Sequence, residues 1–123
     1  MNRTYKSQEG CPIAETLDVI GDRWTLLMLR DLVHGDRKFT ELLDSLQGIS
    51  PRLLAGRIRW LEQQDIIEGV RYSDHPPREM YRLTEKGKDL RPVVRAIGEW
   101  GYKHQLDDAK RAAWQAPWKR TSP

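Results

Sequence analysis

Between Ile49 and Leu61 the chain carries three arginines, Arg52, Arg57 and Arg59, and no acid, just after a Ser50-Pro51 pair. Serine is a favoured helix N-cap and proline a favoured first helical residue, so a helix is expected from this pair to about Gln64. On a wheel of about 100° per residue, Leu54, Ile58 and Leu61 share one side, with Leu53 on its shoulder. Arg52, Ala55, Gly56, Arg59 and Gln63 occupy the other. A guanidinium is a planar fork of donors that fits a phosphate, or the O6 and N7 atoms of guanine, through two bonds at once. The chemistry open to this face is therefore anion or base-edge recognition, and the residue types do not choose between the two. Free N–H groups at the helix start add a phosphate anchor near Ser50. Glycine inside a helix costs about 1 kcal/mol relative to alanine, so Gly56 needs a reason. Close approach to a nucleic acid is one; close packing of another helix is the other. Arg57 falls near the apolar side and is expected to pair within the protein. The plainer reading of the face is a solvated basic surface.

The second residue able to do chemistry is Cys11, the chain's one cysteine. It precedes Pro12 at a helix start, where the positive end of the helix dipole favours a reactive thiolate. Oxidation of a lone thiol ends in a bridge to a second copy, a mixed disulfide or a sulfenic acid. The competing reading is a small, half-buried residue. Other chemistry lacks its parts. His34, His75 and His104 lie in separate elements, no cysteine–histidine spacing matches a metal site, and no glycine-rich phosphate loop follows a strand. No enzyme activity and no cofactor are expected.

At 123 residues the chain is long enough for one core. It has no apolar run of bilayer length, and Met1 to Glu9 is too polar for a secretory signal. With a single cysteine, a cytoplasmic protein without a membrane partner is expected. A net charge of +3 fits a nucleic-acid binder without singling one out.

The elements that must position these residues follow from spacing and punctuation. Cys11-Pro12 opens a first helix through Ile13, Leu17 and Ile20, stopped by Gly21. A second runs from about Arg23, capped by Asp22, to Gly35, and its dense apolar content marks it as buried. Phe39, Leu42, Leu43 and Leu46 form a third, and only Ile49 separates its closing Gly48 from Ser50. Two short helices joined by a tight glycine turn are a helix-turn-helix pattern. Ile66 to Tyr72 and Glu79 to Leu83 read as strands, with Ser73 to Arg78 as a basic loop that neither strand absorbs. That hairpin is a wing, from which Arg78, Arg71 and His75 can reach a backbone or minor groove; for His75 an uninvolved loop residue is an equal reading. Thr84 caps a last helix with an apolar stripe of Leu90, Val93, Val94, Ile97 and Trp100, kinked or delayed by Pro92. Leu106 to Trp114 is read as an extension of it. The fold class is mainly α with a small β-hairpin: a winged helix-turn-helix domain with terminal dimerisation helices. The divisions are a polar tail over 1–10, the domain over 11–104 and a C-terminal extension over 105–123.

Cys11-Pro12-Ile13, Val19-Ile-Gly-Asp-Arg-Trp-Thr-Leu-Leu27, Phe39-Thr-Glu-Leu42, Gly48-Ile-Ser-Pro51, Pro76-Pro-Arg78 and Tyr81-x-Leu-Thr-Glu-x-Gly87 stand in this order. As a set they resemble the HxlR-type winged helix-turn-helix regulators, over roughly Cys11 to Gly101. The resemblance implies a bacterial homodimeric transcription regulator of MarR-like architecture that binds double-stranded DNA. It implies that the fourth helix is the recognition helix, with Thr40, Ser50, Pro51, Arg52, Ala55, Gly56 and Arg59 facing DNA, and Arg71 and Arg78 on the wing. It further implies a dimer interface from Ile13 and Leu17 with Leu90, Val93, Val94, Ile97 and Trp100. Several members of that family sense oxidants or electrophiles through a cysteine at the position of Cys11.

A long apolar stripe on the last helix independently marks a contact surface. A two-fold dimer would set two recognition helices about 34 Å apart on a palindromic site. Two residues depart from the family pattern: Trp60 replaces a charged residue, and Asp65 replaces a glycine. Trp60 is expected to pack toward Trp114 and Trp118. Two alternatives stay open: a winged-helix module that binds protein, and a regulator switched by a small effector in a pocket near Trp24 and Trp100.

Overall fold

Capping residues set the helix boundaries in a computed structural model of the chain, which describes residues 8–114. Pro12 opens helix α1 (Pro12–Ile20), and Cys11 stands at its N-cap in extended conformation. The Asp22 carboxylate accepts from the backbone N–H groups of Trp24 (3.0 Å) and Thr25 (3.2 Å) and from the Thr25 hydroxyl. It thereby holds the turn ahead of α2 (Thr25–Leu32), which begins two residues later than expected, with Trp24 and not Asp22 at its N-cap. A two-residue strand β1 (Arg37–Lys38) leads into α3 (Phe39–Ser45). Gly48, in the left-handed region at φ +95°, makes the tight turn into α4 (Pro51–Gln63).

At the end of α4 the N–H of Asp65 reaches the Glu62 carbonyl at 3.0 Å, and that of Ile66 reaches Leu61 at 2.9 Å. This pair of bonds is a Schellman stop, whose pivot residue is left-handed and usually glycine. Here the pivot is Asp65, at φ 59°. The departure from the family pattern is thus a side chain placed where a glycine fits best.

Strands β2 (Ile67–Asp74) and β3 (Pro77–Leu83) form the hairpin, and β1 adds to its far edge in the order β1-β3-β2, all antiparallel. The hairpin is longer than expected. Its ladder continues to Asp74 opposite Pro77, so the loop shrinks from Ser73–Arg78 to a turn at His75-Pro76, joined by a cis peptide. Pro77 is tolerated because it opens its strand, where a missing N–H removes no interior rung.

Thr84 then ties the hairpin to the end of α4. Its hydroxyl donates to the Asp65 carbonyl at 2.6 Å and accepts from the Gly87 N–H at 3.0 Å, which caps α5 (Glu85–Lys88). A Cβ on Gly87 would fall 2.0 Å from the Ile66 carbonyl oxygen, so only glycine lets α5 lie this close to the start of β2. Pro92 delays the next helix as expected, sitting in the first turn of α6 (Arg91–His104). The chain beyond does not extend that helix. Asp107 caps a separate α7 (Asp108–Ala113), and the Arg111 guanidinium holds it by donating to the carbonyls of Tyr102 (2.9 Å) and Lys103 (2.5 Å).

The core gathers Met28 and Leu29 of α2, Leu42 of α3, Leu54 and Leu61 of α4 and Ile67 of β2, all essentially inaccessible. Burial of each such side chain contributes about 1.5–3 kcal/mol, which fixes α4 rigidly by one face. Among the described residues no helix is long and apolar enough to cross a membrane.

Candidate nucleic-acid interface

Helix α4 is built as its sequence dictates. The Ser50 hydroxyl accepts from the Leu53 N–H at 3.0 Å, and Pro51 occupies the first helical position. Leu54, Ile58 and Leu61 are buried, which turns Arg52 and Arg59 into solvent and leaves Ala55 and Gly56 partly covered. Thr40, Ser50 and Pro51 are also exposed, at the starts of the two helices of the motif. Leu53, expected on the apolar shoulder, is 40% exposed near the helix start. The core stripe ends at Leu54, one turn in, so the first turn overhangs it. An exposed leucine there suits apolar contact with a thymine methyl group.

The two explanations for Gly56 now separate. A Cβ added at Gly56 would meet nothing nearer than the Arg59 Nη2 atom, at 4.0 Å. No neighbouring helix among the described residues requires a glycine here. What the missing side chain leaves is room above partly covered helix backbone between two exposed arginines.

Two contacts on the flank of α4 set its angle. Arg57 turns inward, as its wheel position requires, and its Nη1 lies 3.9 Å from the Asp22 carboxylate, with both side chains largely buried. Trp60 donates its indole N–H to the Val19 carbonyl of α1 at 2.9 Å. Trp60 is therefore committed to α1 and the core, whereas Trp114 stands exposed at the end of α7; Trp118 lies outside the described residues. The physical reason is that the wheel puts Trp60 and Arg57 on one flank, toward the turn between α1 and α2.

On the wing, Arg78 is exposed and Arg71 makes an exposed ion pair with Asp74 at 3.7 Å. Such a pair contributes at most about 1 kcal/mol and exchanges readily for another anion. His75 is exposed at the turn. Lys38, which no periodic signal in a two-residue strand could reveal, stands over the Tyr72 ring of the wing. Glu62 of α4 faces Glu79 of β3, and its carboxyl is raised above the ordinary value by burial and then by the Glu79 charge.

The remaining candidates divide by exposure. Ile13 (72%), Ile97 (50%) and Trp100 (59%) are open, as are Leu17 and Val93. Val94 is buried in the protomer's own core, and Leu90 packs against that core. Helix α6 therefore has two apolar faces, one used inside the protomer and one uncovered. Trp24 packs against the core beneath the Arg23 guanidinium, while Trp100 lies beside His104. Cys11 is partly exposed at the α1 N-cap. Among the described residues no cluster of three or more His, Cys, Asp or Glu side chains is arranged to hold a metal.

Residues 19–109 match the model of the HxlR-like helix-turn-helix family. An uncharacterized HTH-type transcriptional regulator of Bacillus subtilis (strain 168), YdeP, is 37% identical over 106 residues, covering 85% of this chain and 83% of that one. The redox regulator HypR in its oxidized form superposes with a TM-score of 0.73 at 35% identity, covering 79% of this chain and 99% of HypR. The reduced form of the transcriptional regulator YodB from B. subtilis gives 0.66 at 32% identity, covering 79% and 98%. The family model spans most of the chain, and the similar curated proteins are HTH-type transcriptional regulators: the protein belongs to the HxlR-like helix-turn-helix family of transcriptional regulators.

Proposed function

We propose that the protein binds double-stranded DNA sequence-specifically, as a homodimer on a palindromic operator. The observation that carries this reading is the outward face of α4, where the partly covered Gly56, which no neighbouring element crowds, lies between the exposed Arg52 and Arg59. Arginines beside a small-residue stretch let a helix enter a major groove and pair bidentately with guanine edges, while Ser50, Thr40 and the wing residues Arg71 and Arg78 hold phosphates. The exposed stripe of Val93, Ile97 and Trp100 on α6, with Ile13 and Leu17 on α1, supplies the contact between copies. The deciding experiment is a gel-shift titration with the duplex upstream of the gene at two salt concentrations. Specific, steeply salt-dependent binding is expected. A module that binds protein instead would show little duplex affinity at either salt.

A redox switch at Cys11 is the second reading, favoured by its partly exposed thiol at the start of α1 and by the redox regulators among the structural relatives. With one cysteine per chain, oxidation ends in a mixed disulfide with a small thiol, in a sulfenic acid, or in a disulfide between cysteines of this protein, which joins two copies. Two thiols then lose two protons and two electrons to an oxidant such as diamide and form one S–S bond. Wild type and Cys11→Ser are compared with and without diamide. Equal operator binding in all four samples would exclude the switch. A small effector, the competing trigger, has an apolar groove available among α1, α5 and the residue before β2, walled by Val19, Ile20, Ile66 and Leu90; contrary to expectation, neither Trp24 nor Trp100 lines it.

A further inference from the structure

Lys38 and Tyr72 meet on the wing, apart from the helix face described above. Lys38 ends β1, and its ladder partner on β3 is Met80. Side chains alternate across a strand, so Lys38, Met80 and Arg78 belong to one face of the sheet. On β2 the register slips between Arg71 and Ser73, which leaves Tyr72 unpaired in a bulge. A bulge re-aims the side chain that it carries. Here the exposed Tyr72 ring lies beneath Lys38, whose Nζ is 4.9 Å from the ring centroid. An aromatic face attracts an ammonium without consuming its N–H donors, so the lysine is positioned and still able to bind an acceptor.

Lys38, Thr40, Tyr72 and Arg78 border one cleft of about 400 Å³ between the start of α3 and the wing. Glu79 borders it too, but its carboxylate is turned over Gly69, where an added Cβ would fall 2.6 Å from Oε2. Two cations and a hydroxyl around an open cleft suit a singly charged phosphodiester. We propose that this cleft clamps a DNA backbone phosphate between the helix-turn-helix and the wing, with Lys38 as principal donor, Tyr72 as its shelf and Arg78 as the second cation. The inference rests on the DNA-binding reading and adds a contact that the recognition helix does not make.

The test uses full-length wild type, Lys38→Ala, Lys38→Arg and Tyr72→Ala, each checked for an unchanged fold by circular dichroism. Each is titrated across a salt series with the gene's upstream duplex and with a random duplex of equal length. One phosphate contact contributes about 0.9 to the slope of log K against log salt. Lys38→Ala is expected to lose roughly fivefold to tenfold in affinity on both duplexes, with a slope shallower by about 1. Lys38→Arg should keep the slope, and Tyr72→Ala should fall between wild type and Lys38→Ala. Unchanged affinity and slope in Lys38→Ala would overturn the clamp, and so would a loss confined to the upstream duplex. A wild type that binds neither duplex would instead remove the DNA-binding reading itself, and the clamp with it.

Discussion

The indole N–H of Trp60, in α4, is bonded to the backbone carbonyl of Val19 in α1 at 2.9 Å. This bond joins the helix proposed to read DNA to the helix proposed to join two copies. Beside it, Asp22 accepts from the first N–H groups of α2 and pairs with Arg57, so the α1–α2 turn grips one flank of α4 at two points. Trp60→Phe keeps much of the packing but leaves the Val19 carbonyl without this donor. A loss of about 1–2 kcal/mol in urea unfolding is expected. A change within about 0.3 kcal/mol would mean that the bond adds nothing beyond ring packing.

Gly56 should trade stability against binding. Alanine has room on this helix face and higher helix propensity, so Gly56→Ala is expected to stabilise the fold by about 0.5–1 kcal/mol. On the groove-facing reading, the same methyl group weakens binding to the upstream duplex. Chemical denaturation and anisotropy on one preparation check both signs. Stabilisation with undiminished affinity would remove Gly56 from the interface.

Asp65 holds a left-handed conformation that favours glycine. Asp65→Gly retains both backbone bonds of the helix stop and the bond from Thr84 to the residue 65 carbonyl. A gain of about 0.5–1 kcal/mol is expected, as relief of the Cβ strain outweighs the added freedom of the unfolded chain. Equilibrium unfolding measures it, and a destabilised variant would show that the aspartate side chain contributes more than its strain costs.

Glu62 makes stability depend on pH. Burial, and then the charge of Glu79, raise its carboxyl above the ordinary 4.5. A carboxyl with a raised pKa in the folded state opposes folding when ionised. This opposition is absent below about pH 4.5 and complete once the pH exceeds the folded-state value. Glu62→Gln is therefore expected to raise the melting temperature at pH 7 and to leave it nearly unchanged at pH 4. An equal rise at both pH values would point to packing rather than charge.

Much of the proposed interface was legible in the sequence because its signals are local. Ser50, Pro51 and the spacing of Leu54, Ile58 and Leu61 depend only on helix geometry, and they placed α4 and the outward direction of Arg52 and Arg59. Pro92 as a delay is equally local. The sequence overstates the hairpin loop because Pro76 and Pro77 look like breakers, whereas Pro77 opens a strand. Strand β1 was not visible at all, since two residues carry no periodicity, and with it went Lys38.

What the sequence by itself determined is therefore the helix-turn-helix with its wing, and the division of α4 into a core face and a basic face. Both follow from periods of a few residues and from capping chemistry. Only the tertiary structure decided where the long-range partners lie. It assigned Trp60 to Val19, Arg57 to Asp22, Val94 to the protomer's own core, and Lys38 to the ring of Tyr72. Those pairings join residues far apart in the chain, and which of several apolar or charged neighbours a side chain meets is set by how the packed elements close on one another.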